Sequence, residues 1–485
     1  MATSDEGPAT TGVGSVELNG INLIDESERK GTPKSLFWPW FSANVSVFAI
    51  SYGSFVLGFG LSFTQALVAS LIGVVFSFLL CGLVALAGKR GSVPTMVASR
   101  ATFGVRGNAL PSLLSWILTV GWETVLTALA TLATATVFDE LGWGSGNGIK
   151  VAALIVITIL IVGAGILGFD TIMRLSAYIT VIGAVLTVVY MVLVTDEISW
   201  STVSDLPAGS MEEFIGGLIF MMTGFGLGWV NMAADYSRYL PRSTSSPGVV
   251  AWTTFGAALA PVVLVVFGLL LAGSSPQLSG AIGFDPIGAL ASLLPTWFLV
   301  PFVVVAVLGL VGGAALDIYS SGLALLSLGL PAPRWVAAGI DGVIMLIGTV
   351  LIVFVADDFF DPFQGFLITL GVPIAAWCGV MIADIAMRRR DYAEAELFDP
   401  AGRYRAVNWV SVALVVIATV IGWGLVTNSY AGWLDWQGYL LGALGFGGKD
   451  GDWAGANVGV LFALVIGYVG SLLLNRTAVR REESM

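Results

Sequence analysis

About twelve long apolar runs dominate the sequence and restrict the folds open to it. Each run holds roughly 18 or more residues, the length that an α-helix needs to cross the hydrocarbon core of a bilayer. The chain is 56% hydrophobic and 11% charged, with a mean hydropathy of +0.90, which is too apolar for a soluble core of this length. We therefore predict an all-α integral membrane protein. The predicted spans are 37–59, 63–88, 109–138, 151–168, 175–194, 214–234, 249–273, 298–328, 336–355, 363–387, 407–426 and 458–474.

The distribution of basic residues is an independent test of this count, because Lys and Arg collect in cytoplasmic loops. With twelve spans and both termini in the cytoplasm, 19 of the 21 Lys and Arg residues lie on the cytoplasmic side. The two exceptions are Lys150 and Lys449. A single misplaced span would reverse every later loop and destroy this pattern. The sequence therefore predicts a multi-pass protein of the plasma or inner membrane, preceded by a disordered cytoplasmic tail at residues 1–35 that has no signal-peptide run.

Several classes of protein are disfavoured by what the chain lacks. Histidine is absent, and the two cysteines, Cys81 and Cys378, lie in separate apolar runs. This leaves almost nothing to build a zinc, haem or iron–sulfur site and no nucleophile–base set, so we predict no enzyme, no catalytic residue, no metal and no cofactor. The basic residues are dispersed along the inner face rather than gathered in one domain, so we also predict no nucleic-acid partner.

The first and sixth spans contain residues that interrupt helices. The first carries Ser42 and Asn44 near its middle, and the sixth carries the alternating Gly224, Gly226 and Gly228. Non-helical backbone survives in a membrane only where protein or a cavity covers it, and broken helices at matching places in two halves indicate a transporter binding site. The alternative is that these small residues only let helices pack closely.

Two carboxyl groups lie deep within predicted spans, Glu123 in the third and Asp317 in the eighth. An ionised carboxylate there costs roughly 2.5–3.5 kcal/mol, so such residues usually face a cavity. The alternative is local cover by hydroxyl groups on the same helix: Thr119 and Thr127 for Glu123, Ser320 and Ser321 for Asp317. Three further carboxyls near cytoplasmic ends are expected to be solvated or paired with arginines: Asp235, Asp341 and Asp384.

Five motifs together resemble one family. They are FSAN, SRATFGVRGNALPSLLSWILTVGWETV, GWVNMAADYSRYLP, LDIYSSGLAL and GVPIAAW followed by MRRRDY. In this order they are similar to the nucleobase–cation symporter family, in its purine–cytosine permease branch, over residues 37–392. The resemblance implies a LeuT-like core at 36–400 made of two inverted five-helix repeats, about 36–200 and 210–400. Two additional helices at 401–475 and a cytoplasmic tail at 476–485 complete the chain.

The resemblance also implies a substrate site between the broken first and sixth helices and the third and eighth. In the family, two tryptophans sandwich a planar ring, and the matching residues are Trp122 and Trp229. Stacking a base on an aromatic side chain contributes roughly 1–3 kcal/mol, whereas the alternative for each tryptophan is a place facing lipid or the membrane interface. The other substrate-site candidates on the broken helices are Ser42, Asn44 and Gly228.

The sequence departs from the family at the residues that would read the edge of the ring. Leu126 stands where many relatives have an amide, and Asp317 where asparagine is common. A protonated carboxyl has one donor and one acceptor, so Asp317 or Glu123 could replace the amide and couple transport to protons. In relatives that bind sodium between the first and eighth helices, hydroxyl groups are among the ligands. Val311 and Gly312 stand at the matching positions of this sequence and have no hydroxyl, which favours the proton over sodium as coupling cation.

These departures leave the substrate open. We expect a cation-coupled symporter that imports a nucleobase or related planar heterocycle, such as cytosine or a purine, by alternating access. A hydantoin-like ring also remains open. The alternative is a symporter of an amino acid or another small metabolite on the same fold, possibly coupled to sodium.

Overall fold

A computed structural model describes residues 21–144, 146–167, 169–329, 333–428, 430 and 432–485, without the side chains of 167, 169–177 and 334. The described residues form helices and no β-strand. The first helices are α1 (Phe37–Asn44), α2 (Phe48–Leu57), α3 (Phe63–Gly91), α4 (Thr95–Ala98), α5 (Arg100–Phe103), α6 (Ala109–Glu140), α7 (Asn147–Leu167), α8 (Phe169–Leu193) and α9 (Trp200–Ser204). The sixth predicted span contains α10 (Met211–Gly224), α11 (Gly226–Trp229) and α12 (Ala233–Ser237). The remaining helices are α13 (Ser246–Ser274), α14 (Pro276–Phe284), α15 (Pro286–Ala291), α16 (Thr296–Ser327), α17 (Arg334–Phe354), α18 (Phe360–Met387), α19 (Trp409–Trp423), α20 (Gly459–Leu474) and α21 (Arg476–Ser484).

The predicted all-α membrane fold is confirmed, while the exact number of spans is not. Of the described residues, eight helices are long and apolar enough to cross a membrane, or up to ten if each of two bent pairs is one span. The bent pairs are Pro33–Asn44 with Phe48–Leu57, and Gly459–Leu474 with Arg476–Ser484. Two shorter apolar helices, Tyr178–Leu193 and Trp409–Trp423, fall within predicted spans. The count of twelve therefore stays a prediction.

The first predicted interruption is present between α1 and α2. Helix α1 ends at Asn44, and the next residue, Val45, has φ −81° and ψ 74°, outside the helical region. The chain then turns through 68° before α2 begins at Phe48. The Asn44 side chain donates to the carbonyl oxygen of Trp40 at 2.9 Å, which satisfies one of the carbonyls that the end of α1 leaves open.

The second interruption lies in the sixth predicted span. Helix α10 ends at Gly224, and Phe225 has φ −116° and ψ −106°. The chain continues as the single turn of α11, a 3-10 turn at Val230–Met232 and the short α12. Both predicted breaks therefore exist, and each leaves backbone groups without helical partners in the middle of the bundle.

Gly53 of the first span does not break its helix but lets it pack closely against another helix. A Cβ atom added to Gly53 would lie 2.2 Å from the carbonyl carbon of Gly268, and one added to Gly268 would lie 1.9 Å from the carbonyl oxygen of Ile50. Helices α2 and α13 thus cross with their backbones in contact. Small residues allow such crossings between membrane helices, so Gly53 fixes the position of α2 rather than breaking it.

Short helices that the sequence analysis did not predict connect α13 to α16. The hydroxyls of Ser279 in α14 and Ser54 in α2 lie 2.7 Å apart. Asp285 caps α15 by accepting from the backbone nitrogen of Gly288 at 2.9 Å, and it also accepts from the hydroxyl of Thr136 at 2.6 Å. The connection is therefore tied to the ends of α2 and α6.

Part of the predicted N-terminal tail packs against the bundle. Residues 1–20 lie outside the described residues, whereas Arg29 donates to the carbonyl oxygens of Leu240 at 2.8 Å and Lys89 at 2.6 Å. Arg242 pairs with Glu26 at 2.6 Å and with Glu394 at 2.5 Å. The hydrogen bond from Arg242 lowers the pKa of the Glu26 carboxyl. These contacts join the tail to three segments that are distant in sequence, at the end of the bundle predicted to be cytoplasmic.

Candidate functional site

A central cavity lies where the two interruptions meet α6 and α16. Four of the seven predicted site residues line it: Asn44, Trp122, Trp229 and Asp317. Backbone from both breaks lines it as well, at Gly224 and Phe225. The structure therefore brings together residues that are up to 273 positions apart in the chain, as between Asn44 and Asp317.

The two tryptophans lie inside the bundle rather than on its lipid-facing perimeter. Trp122 is 8% exposed, and its ring meets the edges of Phe363 at 5.6 Å and Phe366 at 6.0 Å between centroids. Trp229 is half-buried and meets Trp40 edge-on at 6.2 Å. Aromatic neighbours in this edge-to-face arrangement hold both rings in place, so two oriented indoles border one cavity.

Two of the glycines in GFGLG make room for cavity residues. A Cβ atom at Gly228 would lie 2.8 Å from Nε1 of Trp122. A Cβ atom at Gly224 would lie 2.5 Å from the ring of Tyr52, whose hydroxyl donates to the carbonyl oxygen of Gly224 at 3.1 Å. Gly228 is thus close to Trp122 and not itself part of the cavity wall. Tyr52 lines the cavity and was not among the predicted site residues.

The third glycine of the motif is packed against α3. A Cβ atom at Gly226 would lie 2.1 Å from the carbonyl carbon of Ser77. The hydroxyl of Ser77 accepts from the backbone nitrogen of Gly226 at 3.0 Å, and the thiol of Cys81 donates to its carbonyl oxygen at 3.0 Å. The N–H and the carbonyl group of Gly226 are therefore both satisfied by side chains of α3.

We expect Gly226→Ala to destabilise the folded protein strongly. The added methyl group meets rigid backbone rather than a movable side chain, and overpacking typically costs about 1–3 kcal/mol or more. Gly339→Ala in α17 is the matched control, because nothing lies within 4 Å of a Cβ atom there. Fluorescence-detected size exclusion and a melting curve in detergent would compare the two. Equal stability of both variants would contradict the tight packing of α11 on α3.

Ser42 lies beside the central cavity in a second, smaller pocket. Its hydroxyl is 2.5 Å from the hydroxyl of Thr180 in α8. The pocket is also lined by Thr187, and on the α16 side by Gly309 and Gly312 among other residues without hydroxyls. The structure thus separates Ser42 from the tryptophans, and α16 brings no hydroxyl to this pocket.

Glu123 is fully buried behind the cavity wall. It is 0% exposed, and no described residue makes a hydrogen bond of normal geometry to either carboxyl oxygen, although the Ser321 hydroxyl is close enough to interact with the carboxyl. The alternative of local cover by threonines does not hold, because Thr119 donates to the carbonyl oxygen of Ser115 at 2.9 Å and Thr127 to that of Glu123 itself at 2.7 Å. A carboxyl buried without donors is costly in its charged form.

Asp317 faces the cavity and is 2% exposed. The alternative of local cover by two serines does not hold, because both donate to other carboxylates: Ser320 to Asp235 and Ser321 to Asp341, each at 2.8 Å. The carboxyl of Asp317 is thus left to face the cavity without these serine donors.

The predicted solvation of Asp235 is wrong, and the side chains that donate hydrogen bonds to it are not arginines, although Arg238 is near enough to interact with its charge. Asp235 is 3% exposed and accepts from the backbone nitrogen and the hydroxyl of Thr95, both at 2.7 Å, besides Ser320. The donors come from α4 and α16, which the position of Asp235 in the sequence does not reveal. This carboxylate joins α12, α4 and α16 at one end of the cavity.

Asp341 also differs from the expectation. It is 0% exposed and accepts from Nε1 of Trp116 at 2.6 Å, besides Ser321. Asp384, in contrast, pairs with Arg388 at 2.7 Å as expected. Within the described residues, no group of three or more His, Cys, Asp or Glu side chains could hold a metal ion.

This protein has a helix bundle in which two helices are interrupted, and both breaks border one cavity. That arrangement is typical of membrane transporters built from repeated halves. The chain belongs to the family described as permeases for cytosine/purines, uracil, thiamine and allantoin, whose model matches residues 23–444. It is therefore a multi-pass membrane protein and a secondary transporter by family, and the resemblance seen in the sequence is confirmed.

Individual relatives agree with this assignment. A putative purine-cytosine permease of Bacillus subtilis is 23% identical over 94% of this chain and 95% of its own length. The cytosine permease of Escherichia coli is 25% identical over 82% of this chain and 87% of its own. The solved structure of Mhp1, a nucleobase-cation-symport-1 family transporter in a closed conformation with bromovinylhydantoin bound, superposes with a TM-score of 0.68 at 20% identity, covering 97% of this chain and 96% of Mhp1. The likeness to Mhp1 confirms the LeuT-like fold.

Proposed function

We propose that the protein is a cation-coupled symporter that imports a nucleobase or related planar heterocycle, such as cytosine or a purine, by alternating access across the plasma or inner membrane. The observation that carries this proposal is that Trp122 and Trp229 line one cavity at the junction of both helix breaks. An aromatic heterocycle has two flat faces whatever its substituents, and two indoles offer a stacking partner for each. Both termini lie in the cytoplasm in this proposal.

Recognition of the ring edge falls to polar groups that line the same cavity as the tryptophans. Asp317 faces the cavity from α16, and Asn44 and the backbone at Gly224 face it from the breaks. Leu126 makes the wall apolar where many relatives have an amide, and a Cβ atom at Gly313 would lie 3.1 Å from it. The site therefore offers its polar groups mainly from the side of the broken helices and Asp317.

The coupling cation in this proposal is the proton, carried by Asp317, by Glu123 or by both. Each carboxyl is buried, and insertion of the charged form costs roughly 2.5–3.5 kcal/mol. A neutral carboxyl both donates and accepts, so uptake of a proton would prepare Asp317 to bind the polar edge of a ring. When Asp317 then loses its proton to the cytoplasm, binding of the substrate would weaken, and the substrate would leave on the same side as the proton.

Sodium is the second candidate, because of the hydroxyl-lined pocket at Ser42. The hydroxyls there come from Ser42, Ser46, Thr180 and Thr187. Hard cations prefer oxygen ligands, but none of the described residues that line this pocket is a carboxylate. The proton is favoured because the carboxyls lie at the central cavity and behind its wall.

Uptake assays would test both substrate and cation. Cells lacking their own carriers would express the protein and receive labelled cytosine, hypoxanthine, allantoin, thiamine or leucine. We expect uptake of at least one planar heterocycle, driven by an inward proton gradient, and no uptake of leucine. Uptake of leucine alone would contradict the heterocycle proposal, and uptake that follows only a sodium gradient would contradict the proton.

A further inference from the structure

A groove lined by arginines opens at the end of the bundle where α18 and α20 finish. Its volume is about 880 Å³. Arg389 and Arg390 line it just after α18, and Arg476 and Arg480 line it from α21. All four are exposed, and none makes an ion pair with a described residue. Four cations thus border one groove, and a single acidic side chain, Glu483, lies among them.

The single acidic residue in the groove is already engaged. Glu483 accepts from the backbone nitrogens of Arg389 at 2.6 Å and Arg390 at 2.9 Å. These two bonds fix the backbone of the arginine pair. Oxygen Oε1 of Glu483 therefore positions the groove wall, and a net positive charge remains available to a ligand.

The walls of the groove are held together by a buried ion pair. Arg388 donates to Glu482 of α21 at 2.7 Å and to Asp384 of α18 at 2.7 Å, and all three side chains are at most 6% exposed. Helix α21 is bent by 54° from α20 and is tied to α18 by this contact. Because these contacts fix α21 against α18, the four arginines on the two helix ends are held close to one groove.

The groove has an apolar edge on its other side. Leu472 and Leu473 at the end of α20 line it, as do Ala386 and Met387 of α18. Leu473 is 74% exposed on the surface that a bilayer would cover. Cations next to an apolar edge at the end of membrane helices match a phospholipid, with its phosphodiester beside arginines and its acyl chains beside leucines.

We propose that this groove binds the headgroup of an anionic phospholipid from the adjacent leaflet. Arginine suits the role because its planar guanidinium forms paired hydrogen bonds to phosphate oxygens. The apolar edge makes a diacyl lipid, rather than a soluble phosphate, the ligand. This proposal does not depend on which substrate the protein carries.

Native mass spectrometry of the purified full chain tests the proposal. Phosphatidylglycerol and phosphatidylcholine would be titrated separately into the protein in neutral detergent. We expect tight binding of phosphatidylglycerol, which Arg476→Gln/Arg480→Gln weakens by about thirtyfold, equivalent to about 1 kcal/mol for each arginine. The matched control is Arg106→Gln/Arg481→Gln, which removes the same charge from exposed arginines that do not line the groove.

A second double variant keeps the test decisive if the first does not fold. Arg389→Gln/Arg390→Gln removes the two positive charges on the opposite side of the groove and should weaken phosphatidylglycerol binding to a similar extent. Melting curves show whether each variant is folded. Equal binding of both lipids, or equal losses in the control and groove variants, would overturn the proposal. So would inorganic phosphate that competes fully with the lipid, because a soluble anion would then be sufficient.

Discussion

Replacing Trp122 or Trp229 by alanine will weaken substrate binding by about 5- to 150-fold, because each stacking contact contributes roughly 1–3 kcal/mol. The loss should appear in the concentration that half-saturates uptake, and the double variant should have no measurable transport. Binding of labelled substrate to the purified protein would confirm that the loss lies in affinity. Replacement by phenylalanine should restore part of the affinity, since a smaller ring still stacks.

The matched control for these variants is Trp297→Ala. Trp297 is 67% exposed near the start of α16, and it does not line the cavity. Its replacement should leave the half-saturating concentration within about twofold of the unaltered protein. If Trp297→Ala and Trp122→Ala lowered transport to the same extent while both proteins were present in the membrane, the losses would reflect folding and the stacking proposal would be wrong.

Asp317→Asn will separate transport from the proton gradient. The amide mimics the protonated carboxyl but cannot release a proton, so exchange of substrate across the membrane should continue while accumulation stops. One proton carried per substrate allows about tenfold accumulation for each pH unit across the membrane. Proteoliposomes with an acidic exterior would show this accumulation for the unaltered protein, and equal concentrations inside and outside for the variant.

Glu123→Gln distinguishes which of the two carboxyls carries the proton. If Glu123 is the carrier, its variant shows the same loss of accumulation and Asp317→Asn affects only binding. Asp196→Asn, at an exposed position in a short 3-10 helix, controls for the change of charge. If substrate still accumulated in both the Asp317 and the Glu123 variants, neither carboxyl would carry the coupled proton. If accumulation depended on external sodium, the pocket at Ser42 would be the coupling site.

The sequence was sufficient to predict the helical breaks because their signals are local. Asn44 and the alternating glycines at 224, 226 and 228 stand out within apolar runs, and hydrocarbon tolerates such interruptions only in special places. Sequence patterns could not distinguish the functions of individual glycines. Gly53 turned out to support a backbone contact with α13, and Gly226 supports one with α3. These differences depend on which helix lies opposite each residue.

Partners of buried carboxyls were the least predictable feature. Asp235 and Asp341 lie near the ends of predicted spans, where solvent or arginine is the ordinary partner, yet their donors are Thr95 and Trp116 from other helices. Glu123 has suitable threonines on its own helix face, but both hydroxyls bond backbone carbonyls. Hydroxyls within a helix commonly make this bond, so spacing along one helix does not determine what a carboxyl contacts.

An experimental structure with a transported heterocycle bound would test the central claim most directly. The substrate identified by uptake would be added to the purified protein before data collection. We predict a planar ring in the central cavity, stacked on Trp122 and Trp229 with centroid distances of roughly 4.5–7 Å, and its polar edge toward Asp317. A ring bound elsewhere, or in the cavity without contact to either indole, would contradict the proposed mode of recognition.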